Sequence, residues 1–205
     1  DKQSFGLSSN KIPLGSSKMS FGLGVDKIDK KGYDKSRMDD IVKSSNLSKG
    51  AIYWYYKSKK NIYLSLVDHW FLEYSTGVMK KLDTKNKASD KLKVLFNYFI
   101  NQFEKDPTTF KTMVEFWRMA SLDIDFNSKL QDVYSCFLEY IIDIIKLGIK
   151  NGEFKKLDPR ITALSILVNI EGIHWFTLFD RSGVKAHEYI DTISDFILRG
   201  LKKKS

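Results

Sequence analysis

A close approach to a polyanion needs small residues next to hydrogen-bond donors, and Ser48-Lys49-Gly50-Ala51 followed by Tyr53 and Trp54 offers both in one short stretch. Gly50 and Ala51 would let a helix press into the major groove of double-stranded DNA. Lys49 can reach the O6/N7 edge of guanine, while the Tyr53 hydroxyl and the Trp54 indole N–H, one turn on, can donate to phosphate oxygens. Lys57, Lys59 and Lys60 crowd the start of the next helix. Exposed backbone N–H groups and the helix dipole favour an anion there, so Lys59 is placed as a phosphate clamp. Lys57 and Lys60 also fit an ordinary solvated face. Tyr55 and Tyr56 fit the core behind Ile41 and Leu47 better than they fit a contact.

A second set of residues has a different character. Phe99, Phe103, Phe110, Met113, Phe116, Trp117, Met119, Phe137, Trp175 and Phe176 put more aromatic and sulfur side chains into the middle of the chain than neat packing favours. Helical bundles that hold ligands are lined in this way, and methionine is an adaptable lining; a solid core is the alternative. Few charges lie among them, with Glu115, Arg118, Asn169, Glu171 and His174 as candidate polar anchors. That composition fits an apolar or amphipathic small molecule, a lipid-like acid or an aromatic compound, and not a sugar phosphate.

The elements that would position both sets are helical. Residues 1–18 are rich in Ser, Gly and Lys without a sustained period and are expected to form a flexible arm. Phe21, Val25 and Ile28 have helical spacing up to Gly32, although Gly22 and Gly24 each weaken that helix by roughly 1 kcal/mol relative to Ala. Ser36, with an acid three positions on, resembles the start of a capping box and opens a short helix from Arg37 to Ser45. A tight Asn46-Leu47-Ser48 turn follows. Ser48 then caps a second short helix, Lys49 to Tyr56, and Ser58 caps a third, longer one. Two short helices joined by three residues form the helix-turn-helix pattern.

Beyond residue 85 the pattern is helix after helix. One stripe runs through Leu92, Leu95, Phe96, Phe99 and Phe103, and Pro107 separates it from the next. A long helix is expected from about Asn127 to near Gly152. Asp158-Pro159, an N-cap with proline at the first helical position, starts an apolar helix reaching to about Asp180. A last helix covers Ala186 to Leu201. With no alternating strand pattern, the fold class is all-α. The domains expected are a flexible arm over 1–18, a helix-turn-helix unit over 19–60, and a helical ligand-binding and dimerisation unit over 61–205.

Composition narrows the classes further. The 205 residues include 34 Lys+Arg against 25 Asp+Glu, a formal charge of +9, which hints at a polyanionic partner. The single cysteine, Cys136, excludes an internal disulfide and a multi-cysteine zinc site and is expected to be a buried thiol. The three histidines lack metal-ligand spacing, so neither a metal nor a cofactor is expected. The apolar segment Ile161 to Phe179 is broken by Glu171 and carries Asn169 and His174, which fits a buried helix and not a membrane span. The N-terminal stretch lacks a continuous apolar run, so no signal peptide is expected and the location expected is cytoplasmic. Neither a nucleophile-base pair nor a glycine-rich phosphate loop appears, so the chain is not expected to be an enzyme.

The stretch from Gly32-Tyr33 through Ser36-Arg37-Met38-Asp39-Asp40-Ile41, followed by Leu47-Ser48-Lys49-Gly50-Ala51-Ile52-Tyr53-Trp54-Tyr55-Tyr56-Lys57-Ser58-Lys59, resembles the N-terminal domain of the TetR family of bacterial transcriptional regulators. The resemblance implies some nine helices, three for DNA and the rest for ligand and dimerisation. It implies that Ser36 is an N-cap touching phosphate, that Lys49, Gly50 and Ala51 form the base-reading edge, and that Tyr53, Trp54 and Lys59 contact the backbone; Ser48, which caps the helix, is counted with the DNA-binding residues. The family commonly has histidine where this chain has Trp54. The function expected is a ligand-responsive regulator, most simply a repressor, that binds a palindromic operator as a homodimer. The last two helices, with Ile161, Leu164, Leu167, Phe176 and Phe196, would form the two-fold interface or else complete one subunit's core. The effector site would gather Phe99, Phe103, Phe110, Met113, Phe116, Trp117, Phe137, Asn169, His174 and Trp175. Ligand binding would shift the helix from about Asn61 to Lys81 and with it the spacing of the two recognition helices. A helical DNA-binding protein without an effector is the alternative.

Overall fold

A computed structural model describes residues 33–45, 47–177 and 183–203. The expected arm and first helix lie outside the described residues. A helical turn at 33–35 is followed by α1 (Met38–Ser44), α2 (Lys49–Tyr55), α3 (Lys59–Leu82), α4 (Ala88–Lys105), α5 (Pro107–Ala120), α6 (Ile124–Lys150) and α7 (Pro159–Glu171). A 3-10 segment, Gly172–Thr177, and α8 (Ala186–Leu201) complete the order. The all-α class holds. The described residues add one isolated antiparallel bridge, Phe154 to Lys202.

Local capping explains most of these boundaries. Ser48 Oγ accepts from the Ala51 N–H at 3.1 Å and Ser58 Oγ from the Asn61 N–H at 3.2 Å, each satisfying an orphan donor of a first turn. Asp158 does the same for Ile161 N–H at 2.8 Å, with Pro159 beginning α7. Asp123 accepts from the N–H of Asp125 and of Phe126, which is why α6 begins at Ile124 and not near Asn127. Helix α4 has Lys87 at its N-cap, and its cap comes from afar. The Glu153 carboxylate accepts from the Ala88 and Ser89 N–H groups at 2.9 and 3.1 Å. Those donors hold the Glu153 carboxyl below the ordinary range although burial pushes it up.

The apolar run after Pro159 does not stay α-helical to Asp180. It tightens to 3-10 at Gly172, where a Cβ would lie 2.8 Å from the Tyr189 hydroxyl oxygen. That hydroxyl donates to the Asn169 carbonyl at 3.3 Å, so a contact from α8 sets the transition. Gly152, at φ +75°, closes α6 as a left-handed residue should.

Two compact units result, and they do not divide the chain at residue 60. The first combines the described residues up to Tyr74 with Thr112–Asp132; the second combines Ser75–Lys111 with the residues from Val133 onward. Ile41, Ile52, Ile62, Tyr63, Phe116 and Phe126 are core residues of the first. In the second, α4 packs against α8, and Leu92, Phe96, Ile166, Ile170, Ile190 and Leu198 are among the buried residues. Cys136 is half-buried, less enclosed than its apolar neighbours implied.

Candidate DNA interface and effector site

In the first unit, α2 is anchored by Ile52, which is fully buried, while Lys49, Gly50, Tyr53, Trp54 and Tyr55 face outward. Ala51 is half-buried. A Cβ on Gly50 would meet nothing within 4 Å, so that part of the helix surface is open to close approach. Trp54 is 75% exposed and its ring meets Tyr55 edge-on, with centroids 4.6 Å apart. Lys49 Nζ pairs with Asp39 at 2.9 Å and lies 5.7 Å from the Tyr53 ring centroid. Both partners of that pair are well exposed, so a competing phosphate or base edge can displace the carboxylate. Tyr56 is buried as expected, but Tyr55 is not core: it turns outward beside Trp54.

Two of the expected contact residues are turned inward in the structure. Ser36 is not the N-cap of α1; Arg37 is, and its N–H donates to the Asp40 carboxylate at 3.1 Å. Ser36 is buried, and its hydroxyl lies 2.8 Å from both the Tyr33 carbonyl oxygen and the Tyr63 hydroxyl, inside the unit. Lys59 is also turned inward. Its ammonium donates to the carbonyl oxygens of Tyr33 and Ser36 at 2.6 and 2.8 Å and sits 4.1 Å from the Tyr33 ring centroid. Burial draws its pKa down. Lys60 pairs with Asp123 at 2.7 Å and also with Asp125, whereas Lys57 is exposed.

The expected effector residues divide between the units. Met113, Phe116 and Trp117 belong to the first, where Phe116 packs 6.5 Å from Tyr63. Glu115 and Arg118 also belong there. Glu115 accepts from the Tyr33 N–H at 3.0 Å and from Arg118, which in turn reaches Asp34 at 2.8 Å. Arg118 is the main influence holding the Glu115 carboxyl below its usual range.

The second unit brings the others together only in part. Phe103 and Phe110 are buried with centroids 5.2 Å apart, and the His174 ring lies 5.3 Å beyond Phe110. Phe99 meets Phe137 at 6.0 Å. Asn169 is half-buried, and its side-chain amide donates to the Ser165 carbonyl of its own helix. Trp175 is 60% exposed and so lies outside any interior lining.

Glu171 and His174 meet at the end of α7. The Glu171 Oε2 accepts from the Tyr134 hydroxyl at 3.2 Å and lies 3.2 Å from His174 Nδ1, which is also 2.8 Å from the Glu171 carbonyl oxygen. Burial pushes the Glu171 carboxyl up to about 7, against the Tyr134 hydrogen bond, and pulls His174 down to about 4. Tyr134, from α6, was not among the expected site residues. It sits in an apolar stripe that gives no sign of a hydroxyl finding a carboxylate 37 residues away.

Residues 25–66 match the family described as bacterial regulatory proteins, tetR family. Along the sequence the chain is similar to the fatty acid metabolism regulator protein of Bacillus subtilis (strain 168), 24% identical over 148 residues that cover 72% of this chain and 75% of that one. In fold it is similar to a transcriptional regulator from Saccharomonospora viridis solved in complex with choline, at TM-score 0.82 and 19% identity, covering 94% of this chain and 100% of that one. It is also similar to the transcriptional regulator FadR from Bacillus subtilis in complex with stearoyl-CoA, at TM-score 0.79 and 19% identity, covering 90% and 98%.

Proposed function

We propose that this chain, a helix-turn-helix transcription regulator of the TetR family, is a repressor that binds a palindromic operator as a homodimer and is released by a small apolar or amphipathic effector. The observation that carries this is the outer face of α2. Lys49, Gly50, Tyr53, Trp54 and Tyr55 are exposed while Ile52 locks the helix from behind. Exposed aromatic and basic side chains flanking an open glycine suit a groove lined by phosphates and base edges.

Dimerisation is supported by a face that the single chain leaves uncovered. Ile161, Leu164 and Val168 recur on one side of α7 at 50–68% exposure, and Phe196 on α8 is 68% exposed. Apolar side chains so grouped mark an interaction site, and a two-fold partner offers the same face in return. Leu167, in contrast, is buried within the unit, and Phe176 is half-buried.

Release by an effector is supported by Phe103, Phe110 and His174 packed together in the second unit, and by the stearoyl-CoA and choline bound to the two fold relatives. Helix α3 contributes residues to both units and is our candidate for the coupling element. The experiment is to select the preferred operator from random DNA and then screen apolar and amphipathic compounds for its release. Selection of a palindrome and its release by at least one compound are expected. Enrichment of no sequence would refute the regulator's DNA reading, and a palindrome that no compound releases would leave a regulator without an effector.

Among the described residues no helix is long and apolar enough to cross a membrane.

A further inference from the structure

Glu171 is a largely desolvated carboxyl group, and among the described residues no Lys or Arg pairs with it. Its polar company is the Tyr134 hydroxyl and His174, both at 3.2 Å from Oε2. The His174 ring stacks toward Phe110, and Phe110 toward Phe103. Oε1 takes no hydrogen bond from a described group, and the side chain keeps 23% of its surface accessible. The carboxyl group is therefore crowded but reachable. Elsewhere the chain gives its buried or bridging carboxylates partners: Asp68 has Lys129, Asp123 has Lys60, Glu115 has Arg118, and Glu153 has two backbone donors. Glu171 stands apart from that pattern.

An amphiphile whose head is an acid would bring a second negative charge against Glu171 in a medium that screens poorly, which is repulsive. A neutral head would leave the carboxyl group's acceptor capacity unused. A cation would supply the charge that Glu171 lacks, and it would be attracted by the faces of adjacent aromatic rings as well. We infer that Glu171, oriented by Tyr134 and His174, is the recognition point for the positively charged head of an amphiphilic amine. It rests on the effector-responsive function proposed above and narrows it, replacing the lipid-like acid with a lipophilic cation.

The test uses the full chain and three probes with the same tail and different heads: dodecylamine, dodecanol and dodecanoate, each below its micelle concentration. Calorimetry at pH 8 is expected to show dodecylamine binding at least about tenfold more tightly than dodecanol, with dodecanoate weakest. Glu171→Gln should reduce dodecylamine to the level of dodecanol and leave dodecanol unchanged. A measurement on the unaltered protein stands beside the variant. A carboxyl group titrating near 7 must ionise to meet the amine, so dodecylamine affinity should rise about 30-fold from pH 5.5 to pH 8 while dodecanol stays level. Among the described residues the other titratable groups facing Glu171 are Tyr134 and His174, and neither gains charge over that upward range. Dodecylamine binding no better than dodecanol, or a preference that survives Glu171→Gln, overturns the head-group assignment and leaves the effector site standing. If none of the three binds, the amphiphile-responsive function itself falls with it.

Discussion

The ammonium group of Lys59, at the first turn of α3, donates to the Tyr33 carbonyl oxygen at 2.6 Å, tying the start of the described chain to the helix that follows the helix-turn-helix. Hydrogen bonds to a charged donor at partly buried carbonyls are each a substantial stabilisation. Lys59→Ala should lower the protein's stability by about 1–3 kcal/mol, seen as a lower midpoint in urea. It should leave the slope of operator affinity against salt unchanged. A slope that drops by about one unit per chain, with stability intact, would return Lys59 to the phosphates.

Lys49 carries the opposite expectation. Its pair with Asp39 lies in solvent, so Lys49→Ala should leave folding unchanged and relax the operator preference at one position in each half-site, by about tenfold. Comparing selected sequences for the two proteins checks this. Uniform weakening across all sequences would make Lys49 a backbone contact instead.

How much of this was legible follows from how local each determinant is. Ser48, Ser58 and the Asp158-Pro159 pair act within one turn of where they sit, and the helices they begin lie where the sequence places them. Helix α8 spans Ala186–Leu201 as its apolar spacing predicts. Ser36 and Lys59 look the same in sequence whether they face phosphate or the interior; Tyr63 and the carbonyls at 33 and 36 decide it. Tyr55 and Tyr56 are adjacent identical residues at the end of a short helix, and only the packing shows which one turns in. The Glu153 cap on α4 and the Tyr134–Glu171 hydrogen bond join residues 64 or 65 and 37 positions apart, beyond any local pattern. The aromatic surplus in the middle of the chain was visible, but its division was not, because α5 gives Phe110 to one unit and Phe116 to the other.

The exposed stripe on α7 and α8 makes a prediction about assembly. Ile161→Asp together with Phe196→Asp places charge on a face that is already solvated in the single chain, so each subunit should still fold. Sedimentation at micromolar concentration should change from dimer to monomer, and operator affinity should fall steeply because each half-site is then held separately. A dimer that survives both substitutions would place the interface elsewhere.

Glu171 and His174 pull the pH profile of stability in opposite directions. A carboxyl group raised from 4.5 to about 7 favours the fold while protonated, and that contribution is lost as pH rises through this window. A histidine lowered from 6.5 to about 4 favours the fold while neutral, and that contribution is lost as pH falls toward 4. Between 4.5 and 6.5 the two slopes offset each other. Glu171→Gln should therefore expose a stability that climbs from pH 4 to 6.5, and should raise stability at pH 8 by up to about 3 kcal/mol. Urea melts across that range check it; a profile parallel to the unaltered protein's would mean that Glu171 ionises freely in the fold.

Operator and effector are expected to compete through one protein, and thermodynamic linkage makes that competition measurable in a single cycle. A compound recovered from the operator-release screen is titrated by calorimetry into the protein alone and into the protein saturated with its selected operator. If the compound lowers operator affinity by about 100-fold, a coupling of about 2.7 kcal/mol, saturating operator must weaken the compound's binding by that same factor. Equal factors in the two directions are the predicted result. Effector affinity that is the same with and without operator would contradict the claim, even with a well-formed site in the second unit.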